Sequence, residues 1–224
     1  MFFGIMLKYI IVSILISLIF GATVSSSLII KKVFKKEQVS NYLFQFWSLV
    51  AFILIWIYFK PGIQIFNVHN LLIWENILLT IMAVIPSSIV AYQGYKFKPN
   101  YQFKFMYFLD GASMEIPMRL LVQNLFFILG LDAFLLYFLS LEILLNAIIW
   151  VQFIIVQEII EGLKITRGIL PEIIASFWFS IWVGILFKIT GNIVVPMIAH
   201  GLQRFATYKI SQRFGEIQPS NISS

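Results

Sequence analysis

Seven long apolar runs alternate with short polar connections along the chain, at about residues 5–28, 41–59, 71–93, 111–130, 134–157, 171–188 and 192–209. A helix that crosses a bilayer needs roughly 20 mainly apolar residues. The pattern therefore predicts an all-α, polytopic transmembrane helical bundle of about seven spans. The first run is followed by Lys31, Lys32, Lys35 and Lys36, and Lys8 lies after an apolar start. It reads as an uncleaved span, being longer than the roughly 7–15 apolar residues of a signal peptide. The second run stops at Lys60-Pro61-Gly62, a strong turn signal. The third carries Glu75 near its start and Pro86 inside, the fourth holds Glu115 and Arg119, and Gly130 with Asp132 marks the turn before the fifth. Residues 158–168 read as a loop or surface helix. A single integral membrane domain over residues 1–210 is expected, with a short, frayed polar tail over 211–224.

Composition agrees with this pattern. Hydrophobic residues make up 60% of the 224 and charged ones only 12%, about half the charged share of a soluble domain. Too few ionised side chains are present to cover a soluble body of this size. Cysteine is absent, which excludes disulfides, thiolate metal sites and cysteine nucleophiles. The net charge of +6 does not point to nucleic acid, because the basic residues sit in short clusters between apolar runs. They orient the chain instead. Eleven fall in segments 31–36, 96–104, 164–167 and 209–213, against Lys60 and Lys188 on the opposite connections and Lys8 near the start. The positive-inside rule then predicts an integral cell-membrane protein with its N-terminus outside and its C-terminus cytoplasmic.

An ionisable group at membrane depth is costly and is a functional hypothesis by default. Glu115 and Arg119 lie four residues apart, so they share a helix face and can pair. They read either as a structural ion pair or as part of a polar pocket. Pro117 between them weakens the local hydrogen-bond ladder. His200 sits near the middle of the seventh run, with Arg204 one turn further on. These four side chains are expected to share a polar cavity, although Arg204 has the alternative of snorkelling to the interface. Asn124 and Gln152 are further candidates for the polar cavity or a binding role, with joining helices by hydrogen bonds as the structural alternative. Glu75, Asp110, Asp132, Glu142 and Glu172 lie near predicted ends, where capping or solvation is the default. His69 reads as a surface residue. No metal or other cofactor is expected, since a catalytic zinc site needs three protein ligands and the deep candidates are one histidine and one carboxylate. A metal-free site would use Glu115 to activate water and His200 to stabilise an oxyanion or move a proton.

Two segments carry a family resemblance. Met114-Glu115-Ile116-Pro117-Met118-Arg119, and then Thr190-Gly191-Asn192 leading through Pro196 to His200, resemble the CAAX-protease and bacteriocin-processing (CPBP, or Abi) family of intramembrane endopeptidases. The likeness covers about residues 108–210 and implies a CAAX-protease-like core. The family's first motif is Glu-Glu-x-x-x-Arg. With its arginine on Arg119, the second glutamate falls on Glu115 and the leading, water-activating one on Met114. Its middle motif, Phe-x-x-x-His, falls in the fifth run with Trp150 on the Phe and Ile154 on the His. Its last motif, His-x-x-x-Asn, matches at His200 and has Arg204 in place of the Asn.

The resemblance thus implies a protease-like fold whose chemistry is impaired at Met114, Ile154 and Arg204, since each lost group removes transition-state stabilisation. Glu115 is one helix position, about 100°, away from the leading site. The leading expectation is a membrane protein that binds or regulates another membrane or envelope component, or a peptide or lipid-linked ligand, with bacteriocin immunity as one such role. The alternative is an active glutamate/histidine intramembrane endopeptidase using Glu115 and His200. A small-solute transporter is a third class, disfavoured by the lack of an internal repeat.

Overall fold

The computed structural model describes residues 37–60, 63–66, 73–94, 105–131, 135, 139–160 and 170–215, and scattered positions of the first run (4, 7, 10, 11, 14, 15 and 18). The described residues are mainly helical and contain no strand. The described positions of the first run are helical too. The elements are α1 (Glu37–Phe59), a 3-10 turn (Ile63–Phe66), α2 (Trp74–Gly94), α3 (Phe105–Pro117), a π-helical segment (Met118–Gln123), α4 (Asn124–Ile128), α5 (Leu141–Ile160), α6 (Leu170–Thr190) and α7 (Val194–Gly215). The basic segments 31–36, 96–104 (except its neighbour Phe105) and 164–167, on which the orientation rests, lie outside the described residues, as do His69 and Asp132.

Each apolar run from the second onward contains a helix, with informative differences at the edges. The fourth run begins earlier than its apolar pattern suggests, because Phe105-Met106-Tyr107-Phe108-Leu109 continues the helix upstream of Asp110. The fifth begins later, at Leu141. The seventh runs on to Gly215, so the start of the polar tail is helical. Lys60 ends α1 with φ +45°, a left-handed geometry that turns the chain before Pro61. At the other sharp turn, Gly191 adopts φ +59° and its N–H donates to the Phe187 carbonyl at 2.8 Å. The Asn192 side chain then accepts the Val194 N–H at 2.8 Å, capping α7. Thr190-Gly191-Asn192 therefore closes one helix and opens the next within three residues.

The helices pack so that α2 lies on α6 and α7, α3 lies on α7 and α1, and α5 lies on α6 and the π segment. One apolar core joins Trp47, Ala51 and Ile55 of α1 to Leu120, Leu121, Phe187 and Ile193. Another joins Ala83 of α2 to Phe179, Val183 and Leu186 of α6 and Val195 and Ala199 of α7. Glycines set the closest approaches. A Cβ on Gly111 would stand 2.6 Å from the His200 carbonyl oxygen, so α3 and α7 touch backbone to backbone there.

Large apolar side chains are exposed on the outside of this bundle, and charged and polar side chains are buried beside its apolar cores. Phe46, Leu49, Ile53 and Ile57 of α1 and Ile77, Ile81, Ile85 and Ile89 of α2 are exposed, while Glu115, Arg119, Glu142, Asn146 and His200 are buried. Two of the described helices are long and apolar enough to cross a membrane, Trp74–Ala91 with mean hydropathy 1.5 and Leu170–Thr190 with 1.8. By length and composition they point to a membrane location.

Candidate functional site

Glu115 is the centre of a buried polar cluster. It sits on the buried face of α3, one turn before Arg119 in the π segment, and the i, i+4 spacing brings the two together. Arg119 Nε donates to Glu115 Oε2 at 2.7 Å, with both side chains 2% exposed. His200, from the middle of α7, meets the other oxygen: its Nδ1 lies 2.6 Å from Glu115 Oε1. An ionised carboxylate only accepts, so with Glu115 paired to Arg119 the proton of this contact belongs to His200 Nδ1. The imidazole is thereby held in one orientation, and in its neutral form the free lone pair is on Nε2.

The guanidinium extends the network into α6. Its Nη1 donates to Gln123 Oε1 at 3.1 Å, and its Nη2 to the Ser180 hydroxyl at 3.2 Å and the Ser180 carbonyl at 3.3 Å. Gln123 Nε2 donates in turn to the Gly184 carbonyl at 3.0 Å. Four segments are therefore tied by one continuous set of hydrogen bonds: α3, the π segment, α6 and α7. The π segment begins directly after Pro117, which has no N–H to continue the regular ladder. Its wider turn carries both Arg119 and Gln123 toward α6, an arrangement of the kind often found at functional sites.

Aromatic rings close around His200. Phe179 of α6 lies 4.7 Å away by ring centroids, and Trp150 of α5 meets the imidazole edge-on at 5.6 Å and 77°. The α5 position that faces His200 is thus Trp150; Ile154 is one turn further along and half-buried, and Met114 is half-buried beside Glu115 on α3.

The other sequence candidates separate from this group. Arg204 pairs with Asp110 at 2.9 Å, so it neither joins Glu115 directly nor simply snorkels. Asp110, expected to be capping or solvated, is buried. Asn124 donates to the Leu120 carbonyl of its own turn at 3.2 Å rather than to another helix. Gln152 is exposed on α5 and makes no hydrogen bond to another helix among the described residues. Glu142, expected at a solvated end, is 1% exposed and accepts Lys188 Nζ and the Ser140 hydroxyl, each at 2.7 Å. Glu75 is exposed at the start of α2, in line with its end position. Sequence reasoning did not find Gln123, Ser180 or Gly184, because single polar or small residues in apolar runs carry no mark of which helix they will face.

Among the described residues no group of three or more metal-ligating side chains could hold an ion. No protein-family model, curated protein or solved structure matches the chain.

Proposed function

We propose that the protein is a multi-pass membrane protein with a CAAX-protease-like core, catalytically impaired, which acts by binding or regulating another membrane or envelope component. Bacteriocin immunity is one role of that kind. Seven spans, an outer N-terminus and a cytoplasmic C-terminus belong to this reading, supported by the apolar runs and the distribution of Lys and Arg. One observation carries the functional part. Both oxygens of Glu115 are engaged at short range, Oε2 by Arg119 and Oε1 by His200, and a carboxylate held between two donors is a poor base toward water. Met114 stands where the resemblance expects the base itself.

A second reading is favoured by the 2.6 Å contact between His200 and Glu115. In an active glutamate/histidine endopeptidase the carboxylate would orient the imidazole, and His200 Nε2 would take the proton from water. A transporter has no comparable observation behind it.

Affinity purification from native membranes in mild detergent, with quantitative mass spectrometry of wild type, His200→Ala and Glu115→Gln, separates the two. A near-stoichiometric intact partner of the wild type is the expected result. A truncated membrane or secreted protein that disappears in both variants, without a stable partner, would replace regulation by proteolysis.

A further inference from the structure

A second polar group lies on α5, away from Glu115. Glu142, Asn146 and Trp150 recur at every fourth residue and so form one stripe along that helix. Glu142 is 1% exposed and Asn146 0%. Glu142 Oε1 accepts from Lys188 Nζ and Ser140 Oγ, but its Oε2 has no partner among the described residues, and neither has the Asn146 oxygen or nitrogen. Buried polar groups are nearly always hydrogen-bonded, and an unmet amide is expensive in an apolar interior.

We propose that Glu142 and Asn146 form an internal water-binding site at the Lys188 end of the bundle. Chemistry selects the occupant. A cation is disfavoured because the Lys188 ammonium already sits on the same carboxylate at 2.7 Å. An anion is disfavoured by the carboxylate. Asn146 needs both a donor and an acceptor, Glu142 Oε2 needs a donor, and water is the smallest molecule that supplies both. Side chains one turn apart have Cβ atoms about 5–6 Å from each other, a gap that water spans with two ordinary hydrogen bonds. Lys188, which holds the same carboxylate, is 25% exposed. One turn beyond Asn146 stands Trp150, whose ring packs against His200.

The site also adjoins the central network. Ile143, next to Glu142, places Cγ2 2.8 Å from where a Cβ on Gly184 would stand, and Arg119 Nη1 is 3.2 Å from the same point. The stripe thus passes behind Arg119 and Gln123 without bonding to Glu115, and its hydration is independent of whether the protein cleaves anything.

Water-edited solid-state NMR of the full chain in phosphatidylcholine bilayers tests this. Leu145-Asn146 is the sole Leu-Asn pair in the sequence, so labelling the leucine carbonyl together with the asparagine carbons and nitrogens assigns the Asn146 backbone nitrogen and, through its own carbons, the side-chain nitrogen without a mutation. Magnetisation from water should reach the Asn146 side-chain nitrogen nearly as fast as the Lys188 ammonium and well before the buried Ala147 methyl. Transfer to Asn146 as slow as to Ala147 would overturn the proposal. Asn146→Leu gives an independent arm: eviction of water leaves Glu142 Oε2 unmet and should lower the melting temperature, whereas a raised melting temperature would mean that the wild-type site is dry.

Discussion

The Glu115 network and the α5 stripe are both buried and both carry a carboxylate, yet they are built in opposite ways. Around Glu115 each charged donor has a protein partner: Arg119 reaches Glu115, Gln123 and Ser180, and His200 reaches Glu115. On α5, Glu142 is half served by Lys188 and Ser140, and Asn146 is served by no described residue. A network closed on itself fixes helix positions and offers little to a ligand. A stripe with unmet polar atoms has hydrogen bonds still to give. Chemical interest inside the bundle therefore follows the unmet groups more than the charged ones.

The largest effect expected from breaking this contrast is at the ion pair. Glu115→Ala or Arg119→Ala strands a charge in a low-dielectric interior, at a cost of about 3–5 kcal/mol. The double variant should lose clearly less than the sum, as read by thermal unfolding of purified protein in detergent; additive losses would mean that the two side chains do not depend on each other. Next comes Gly111→Ala. The new methyl would stand 2.6 Å from a backbone oxygen and 2.7 Å from Arg204 Cγ, so α3 and α7 must separate, at about 1–3 kcal/mol. An unchanged melting temperature would show that these helices are not in close contact.

On the α5 side, Lys188→Met removes the cation from Glu142. Lys188 is a quarter exposed, so water can replace it in part, and the loss should be smaller than at Arg119, about 1–2 kcal/mol. A loss equal to that of Arg119→Ala would erase the distinction between the closed and open networks. The smallest effect belongs to Gln152→Leu, which changes an exposed side chain outside both groups and should stay within about 0.5 kcal/mol.

What could be read from the sequence follows from what spacing encodes. Glu115 and Arg119 were legible as a pair because four residues on a helix put them on one face, and Thr190-Gly191-Asn192 was legible as a turn because glycine accommodates its positive φ and Asn caps the next helix. The meeting of His200 with Glu115 was expected from depth alone, since two polar groups in lipid seek each other. The partners of Asp110 and Glu142 were hidden: each lies near the end of an apolar run, where solvation is the default. Their burial depends on Arg204 and Lys188, which are distant in sequence. The π segment was foreshadowed by Pro117, but not its extent or the role of Gln123. Helix-to-helix register is set by tertiary packing, and one chain's periodicity does not record it.

The most direct test of the central claim is cleavage by the purified protein in bilayers, measured against a mixture of membrane-spanning peptides, for wild type and Glu115→Gln with melting temperatures taken in parallel. A clamped Glu115 predicts no product above the level of Glu115→Gln. Product formed by wild type and abolished in a Glu115→Gln protein that remains folded would contradict it, and would make His200 and Glu115 a working catalytic pair.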